Sequence, residues 1–323
     1  MNFVLIRKSI SDAKWLFLSF GVLLFVFCWT RVWVVSLIET PRFTAILDQF
    51  WEQFGHFSPV SFSHLVSYPG RVALTLAEPI VVFGISIWAI ARGSDAVSGP
   101  LDRGTLEMLL AQPLSRVQAL TTQAAVTTAG TALLCCLCWL GMSLGIQYTV
   151  VKVAPESAGL VLPFLDVELP NPFQDHQPVK VPLSNEVNPA SLVPAVMNLF
   201  AMGFCVAGMA TLVSSWDRYR WRTIGIISGF YIVEFLVKIV AMSAESLQWL
   251  RPLTFFSALE PQWFVYITVE EPELTWSFFL FDDNGQIVEM GPSSYNLTLL
   301  GIGLISYLAA ALIFHRRDLP APL

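Results

Sequence analysis

Four ionisable residues lie inside long apolar runs. Glu78, followed at once by Pro79, lies in Val72–Ala91; Glu234 and Lys238 lie four residues apart in Thr223–Met242; Arg31 lies near the end of Trp15–Ile38. A charge inside such a run is costly, which makes each one a functional candidate by default. The acid-first i, i+4 spacing puts Glu234 and Lys238 on one helix face, where they can form an ion pair. That pair is either a self-satisfied structural unit or, together with Glu78, part of the lining of a polar pathway. Glu78 has two readings of its own: a protonated carboxyl, or a carboxylate facing a wet cavity beside a Pro79 kink. Arg31 has a cheaper explanation, because its long stem lets the guanidinium reach the headgroups.

Other chemistry is thin. The sequence contains no HExxH, GxSxG or GxxxxGK[ST] pattern, and His56, His64, His176 and His315 all fall outside the middle of an apolar run. The chain therefore carries no P-loop of its own, and no nucleophile–base pair stands out for intramembrane catalysis. It reads as a non-enzyme without a bound cofactor. Cys135, Cys136 and Cys138 raise the thought of a soft-metal site, but no histidine or second cysteine pair accompanies them. Buried free thiols are the ordinary reading, so no metal is expected.

Of the 323 residues, 55% are hydrophobic and 13% charged, against about 25% charged in a typical soluble domain. That excludes a soluble enzyme, a nucleic-acid binder and a disordered chain. Runs long enough to cross a bilayer, about 20 residues each, occur at 15–38, 72–91, 117–148, 190–214, 223–242 and 295–314. They are continuous rather than alternating, which favours helices over barrel strands. The expected fold is an all-α integral membrane protein, one domain over 1–323 with six transmembrane helices. The first run is too long and aromatic for a cleaved leader and lacks a small-residue cleavage site.

Arg7, Lys8, Lys14, Arg92, Arg103, Arg116, Arg218, Arg220, Arg222, Arg316 and Arg317 fall on one side of this arrangement, and most acidic residues on the other. The positive-inside rule then makes both termini cytoplasmic, in the inner (plasma) membrane of a cell. Residues 2–14 read as an amphipathic interfacial helix, or as a basic flank that merely sets topology. The outer loops at 39–71, 149–189 and 243–293 read as small covers rather than domains. Gly141-x-x-x-Gly145 and Gly225-x-x-x-Gly229 permit close helix approach. Asn296-Leu-Thr298 matches a glycosylation sequon but opens a span, so chance explains it.

The segment between the second and third runs, GSDAVSGPLDRGTLEMLLAQPLSR, carries the most information. Gly104 breaks the preceding turn. Leu106, Leu109 and Leu110 then recur at helical spacing, with Glu107 in the first turn where the dipole favours an acid. Pro113 ends this element and pushes Gln112 toward extended geometry. Ser115 and Gln118 form a capping box for the third run. A short helix with exposed leucines rimmed by charge fits a partner's groove. The plainer reading is a helix lying flat on the membrane.

This segment resembles the cytoplasmic signature loop of type-2 ABC exporter permeases. The matching residues are Ser98, Gly99, Asp102, Gly104, Thr105, Leu106, Glu107, Leu109, Leu110, Pro113, Ser115 and Arg116. The ending Phe314–Leu319 resembles the branch associated with copper-enzyme maturation. Two positions depart from the pattern: Pro100 stands where the family has glutamate, and Gln123 is nearest to a common lysine. The resemblance implies the membrane subunit of an ATP-driven exporter. A separate cytoplasmic ATPase would hold ATP and magnesium, and a second permease, identical or related, would complete the transporter. Asp102, Gly104, Thr105, Leu106, Glu107, Leu109, Leu110, Pro113 and Arg116 would form or flank the coupling helix. The alternative is a non-transporting membrane anchor that assists an outer-face enzyme.

Overall fold

The computed structural model describes residues 3–38, 43–45, 47–49, 51, 55, 60–106, 115–153, 160–161, 168–169, 179–281 and 285–317. Its main helices, in chain order, are α1 (Phe3–Leu37), α2 (Phe62–Val66), α3 (Tyr68–Ala77), α4 (Pro79–Ser94), α5 (Ser98–Asp102), α6 (Arg116–Tyr148), α7 (Val193–Trp216), α8 (Arg220–Ser243), α9 (Pro261–Glu270) and α10 (Pro292–Arg316). Six helical stretches among the described residues are long and apolar enough to cross a membrane: α1, the α3–α4 pair, α6, α7 with the turn before it, α8 and α10. The chain is a mostly helical protein whose six apolar helices fit a multi-pass membrane protein.

Helix α7 stands at the centre, with 67% of its most apolar stretch buried, whereas α8 has only 17% of its stretch buried. Around α7 pack α10, α4 and α6, and α1 lies along α6. Glycines set the closest of these approaches. A Cβ on Gly141 would fall 2.6 Å from the Phe25 carbonyl oxygen, and one on Gly145 would fall 2.8 Å from Val32 Cβ. The first GxxxG pair is therefore the seat of α1 on α6. A Cβ on Gly208 would fall 2.5 Å from the Gly303 carbonyl, which explains how tightly α7 meets α10. The second pair, Gly225 and Gly229, meets nothing within 4 Å.

The second span is broken. Pro79 forces the residue before it out of the helical region, and Glu78 adopts φ −60°, ψ 137°, ending α3 and capping α4. The Glu78 carbonyl still accepts from the Val81 and Val82 amides at 3.0 and 3.1 Å, so α4 restarts at once.

One expectation needs correction. The segment before the first apolar run is not a separate interfacial helix, because α1 (Phe3–Leu37) runs unbroken over 35 residues. At about 1.5 Å per residue that exceeds a hydrocarbon core of about 30 Å. No glycine or proline occurs before Gly21 to end it, and Leu5, Ser9 and Ala13 form a buried stripe at four-residue spacing. Short ribbons accompany the helices. Antiparallel pairs join β1 (Val150–Val153) to β4 (Val179–Pro182), β2 (Leu160–Val161) to β3 (Glu168–Leu169), and β5 (Phe279–Phe281) to β6 (Ile287–Met290). Arg71, the last residue of the outer stretch 39–71, lies inside a helix. It is buried in α3, donates to the Val66 and Ile38 carbonyls at 3.0 and 3.1 Å, and lies 4.4 Å from the Tyr68 ring centre.

The two GxxxG pairs make opposite predictions. Gly145→Val should overpack the α1–α6 contact and cost about 1–3 kcal/mol. Gly229→Ala should be neutral or slightly stabilising. Thermal unfolding of the purified protein in detergent compares them directly, and equal effects would contradict the packing described.

Candidate functional site

Helices α4, α7 and α10 finish at the end of the bundle where α1, α6 and α8 begin. The last carbonyls of a helix lack intrahelical partners and carry partial negative charge. Arginines answer them here. Arg220 Nη2 donates to Ala91 O near the end of α4 at 3.2 Å. Arg317 Nη1 donates to Ser215 O and Asp217 O at 2.9 Å each, at the end of α7. Arg116 Nη1 donates to Phe314 O at 3.3 Å and to Arg317 O, at the end of α10.

Asp95 gathers Arg220 and two further cations. Its carboxylate lies 2.9 Å from Arg103, 3.6 Å from Arg220 and 3.8 Å from Arg92. Arg92 Nη2 donates in turn to Ser9 O at 3.3 Å and Ser9 Oγ at 3.1 Å, and Ser9 Oγ reaches Gln123 Oε1 at 2.5 Å. Thus Asp95 links the foot of α1, the α5 region and the start of α8. A Cβ on Gly99 would fall 2.0 Å from Asp95 Oδ1, so a glycine is needed there for the carboxylate to lie across the chain.

Beneath this layer lies a knot of hydroxyls with no exposure. Ser214 Oγ of α7 accepts from the Val97 and Ser98 amides at 3.1 and 2.9 Å and donates to Ser94 O at 3.0 Å. Thr223 of α8 donates to Ser98 Oγ at 3.1 Å. The Ser98-Gly99 pair therefore has a local physical cause. Ser98 fastens α5 to α7 and α8, and Gly99 admits Asp95. Ser94, Ser214 and Thr223 escaped the sequence reading, because lone hydroxyls near the ends of apolar runs carry no pattern.

The loop's exit is also defined. Gly104 sits at φ +66°, with Gly104 N bonded to Leu101 O at 3.1 Å and Thr105 N to Pro100 O at 2.9 Å. These are the two bonds of a Schellman cap, and they need a residue that tolerates positive φ. Asp102 and Gly104 are exposed. Leu106, expected on the outward leucine face, is instead buried at 2% exposure among Val97, Leu120, Ala310 and Phe314. It anchors the loop to its own bundle. Glu107, Leu109, Leu110 and Pro113 lie outside the described residues. The Ser115–Gln118 capping box is present as expected.

The deep charges separate into two places. Arg31 Nε donates to Glu78 Oε1 at 3.0 Å, so both are paired, and each side chain keeps partial exposure, 23% and 32%. Arg31 thus does not merely reach for headgroups. The expected Glu234–Lys238 pair does not form among the described contacts. Lys238 Nζ donates to Phe256 O and Leu259 O at 3.0 Å each and to Glu260 Oε1 at 2.7 Å. Glu234 Oε2 accepts from the Phe255 amide at 3.3 Å. Helix spacing puts both side chains on the same face, and the segment after α8 folds back over that face with closer partners. Asn198 of α7, which no pattern marked, completes the attachment through Ala258 O at 2.8 Å, Asn296 Oδ1 at 3.0 Å and the Glu260 amide at 3.1 Å. Asn296 is thereby engaged in the interior.

Cys28, Cys135, Cys138 and Cys205 are buried free thiols, and among the described residues no group of three histidine, cysteine or acidic side chains could hold a metal ion. No protein-family model matches the chain, and no curated protein matches it either.

Two measurements follow from these contacts. Lys238→Met strands the partly buried Glu260 carboxylate, whose side chain is 20% exposed, and should cost about 1–3 kcal/mol. Glu234→Gln, which touches one long bond, should cost under about 1 kcal/mol. Thermal unfolding of both variants separates this arrangement from an i, i+4 pair, in which both losses would be comparable. The second measurement concerns His64, buried beside Tyr266 with a ring-centre distance of 5.0 Å. Burial lowers its pKa below the ordinary value, with Glu270 opposing. Its neutral form is favoured in the fold, so its contribution is complete above about pH 6.5 and is lost as the pH falls below that. His64→Phe should flatten the decline in melting temperature between pH 7 and pH 5 relative to the parent chain.

Proposed function

We propose that the chain is the membrane-spanning permease subunit of an ATP-driven ABC transporter, working as an exporter. Its partners are a cytoplasmic ATPase, which holds ATP and magnesium, and a second permease of the same or a related kind. In this reading the basic end is cytoplasmic, both termini lie there, and the membrane is the inner (plasma) membrane. The observation that carries it is the mounting of the signature loop. Ser98, Gly99 and Gly104 tie the loop's first half to α4, α7 and α8 through the hydroxyl knot, the Asp95 cluster and the Schellman cap. Leu106 then seats it against α6 and α10.

A segment so mounted transmits displacement to several helices at once. Closure of an ATPase dimer moves a permease only by favouring one of its conformations through differential contacts. The coupling helix over Thr105–Ala111 supplies those contacts, with Leu109 and Leu110 as the groove-filling side chains, Glu107 at its start and Pro113 at its end. Arg116, bound to the end of α10, fixes the point where the loop re-enters the bundle. Of the polar-pathway candidates, Glu78 is favoured, because it sits at a broken helix and keeps 32% side-chain exposure beside its partner Arg31, while Glu234 and Lys238 are engaged by the segment that follows α8.

Purification of the tagged chain from its native membranes tests this. A P-loop ATPase subunit is expected to accompany it. Leu109→Asp with Leu110→Asp should remove that subunit while the permease stays inserted at its normal level. Undiminished recovery with the double variant would remove the coupling role. Absence of any ATPase from the unaltered preparation would favour the membrane-anchor reading.

A further inference from the structure

Just before α10 the chain makes the β5–β6 hairpin, and its apolar side chains are left uncovered. Phe279 lies opposite Met290, and Phe281 opposite Ile287, in the antiparallel register. Cross-strand partners share a face, and alternation puts Phe279 and Phe281 on the same one. All four side chains are between 42% and 63% exposed, and Phe278 and Val288 are exposed as well. A two-stranded hairpin on its own is at best marginally stable in water. A contiguous apolar patch of this kind marks a contact surface.

The hairpin's mounting on α10 says what covers it. The Gly291 amide donates to Phe278 O at 2.8 Å, and the Ser293 amide to Ser277 O at 3.0 Å. Ser293 Oγ donates to Trp276 O at 2.8 Å, and Ser294 Oγ to Phe278 O at 2.5 Å. At 3.6 residues per turn, Ser293 and Ser294 share one sector of α10, about 100° wide, with Leu297, Leu304, Leu308 and Leu312. Those four leucines are exposed, and α10 is long and apolar enough to cross a membrane. The sector is therefore the face that α10 presents to the bilayer, and the hairpin hangs from its first turn.

The level agrees. Leu297 follows Ser293 by four residues, about 6 Å along the helix axis. The headgroup layer adds about 5–7 Å to each side of the hydrocarbon core, so the base of the hairpin stands within it. Trp33, Trp249 and Trp276 are exposed at this end of the bundle, the placement of an interfacial aromatic belt. The hairpin's two open edges carry backbone groups that need water, which holds it at this level and no deeper.

We infer that the β5–β6 hairpin lies on the bilayer, with Phe279, Phe281, Ile287 and Met290 set into the boundary between headgroups and acyl chains. Residues 252–314 contain no lysine or arginine. The contact is thus apolar and does not select anionic lipid. It stands whether or not the chain is a transporter.

The test uses the full chain in nanodiscs of phosphatidylcholine. Cys136, an exposed native thiol, is replaced by serine. A nitroxide is then attached in turn at Phe281→Cys, at Ile287→Cys and, as the reference in water, at Glu273→Cys, an exposed position before the hairpin. Line broadening by dissolved oxygen and by a water-soluble nickel chelate is read at each. The nickel broadening seen at Glu273 should be lost at Phe281 and Ile287, where oxygen broadening should rise. Adding phosphatidylglycerol or high salt should leave that pattern unchanged. If the Phe281→Cys chain fails to insert, Ile287→Cys alone decides. Nickel access at the hairpin equal to that at Glu273 would overturn the proposal, as would shielding that appears only with phosphatidylglycerol. Dipolar broadening between the Phe281 labels of two copies would also overturn it, and would assign the patch to a second copy of the chain.

Discussion

A carbonyl left over at the end of a helix must find a donor, and in an apolar surround the donor has to come from the chain itself. This constraint organises the basic end of the molecule. Arg220, Arg317 and Arg116 each reach across to the terminus of a helix other than their own, at Ala91, Ser215 and Phe314. The same arginines that mark one side of a membrane protein by their number are also the ties between its helices. At the opposite end Arg71 and Lys238 do equivalent work, collecting the Ile38, Val66, Phe256 and Leu259 carbonyls. Basic side chains thus join helix ends on both sides.

The Glu78–Arg31 pair follows from a second local rule. Proline at 79 dictates extended geometry at 78, the extended residue interrupts the helix, and the interruption sits opposite α1, where Arg31 waits. A single covalent feature, the pyrrolidine ring, accounts for a broken span and the placing of a charge pair. Nothing comparable happens in α6 or α7, whose interiors lack proline beyond the first turn. Those helices stay continuous and carry most of the packing.

The six long helices were legible because apolar length is a property of a run of residues and survives ignorance of neighbours. The capping box at Ser115 and the break at Gly104 were legible because each is completed within a few residues. What failed was anything decided by a distant segment. Helical spacing put Glu234 beside Lys238 but gave no sign that residues 254–260 would fold over both. Leu106 fitted an outward-facing leucine stripe until Phe314, more than two hundred positions later, supplied a surface to bury it. Ser98 and Gly99 stood out in the sequence, whereas the physical reason for Ser98 lay in Ser214 and Thr223, which belong to other helices.

Helix α8 buries little of its apolar surface in the protein and is joined to it by polar ties spaced along its length, from Arg220 to Ala91 and Asp95, Thr223 to Ser98, Tyr231 to Ser86, Glu234 to the Phe255 amide and Lys238 to Glu260. Lipid tails are as apolar as leucine. The stretches of α8 between those fastenings therefore exchange protein neighbours for lipid at nearly no cost, like a blind pinned at intervals on a window frame. Such a helix can bow sideways while its pinned residues stay in place, and its compliance is set by those polar bonds more than by the fit of its sides.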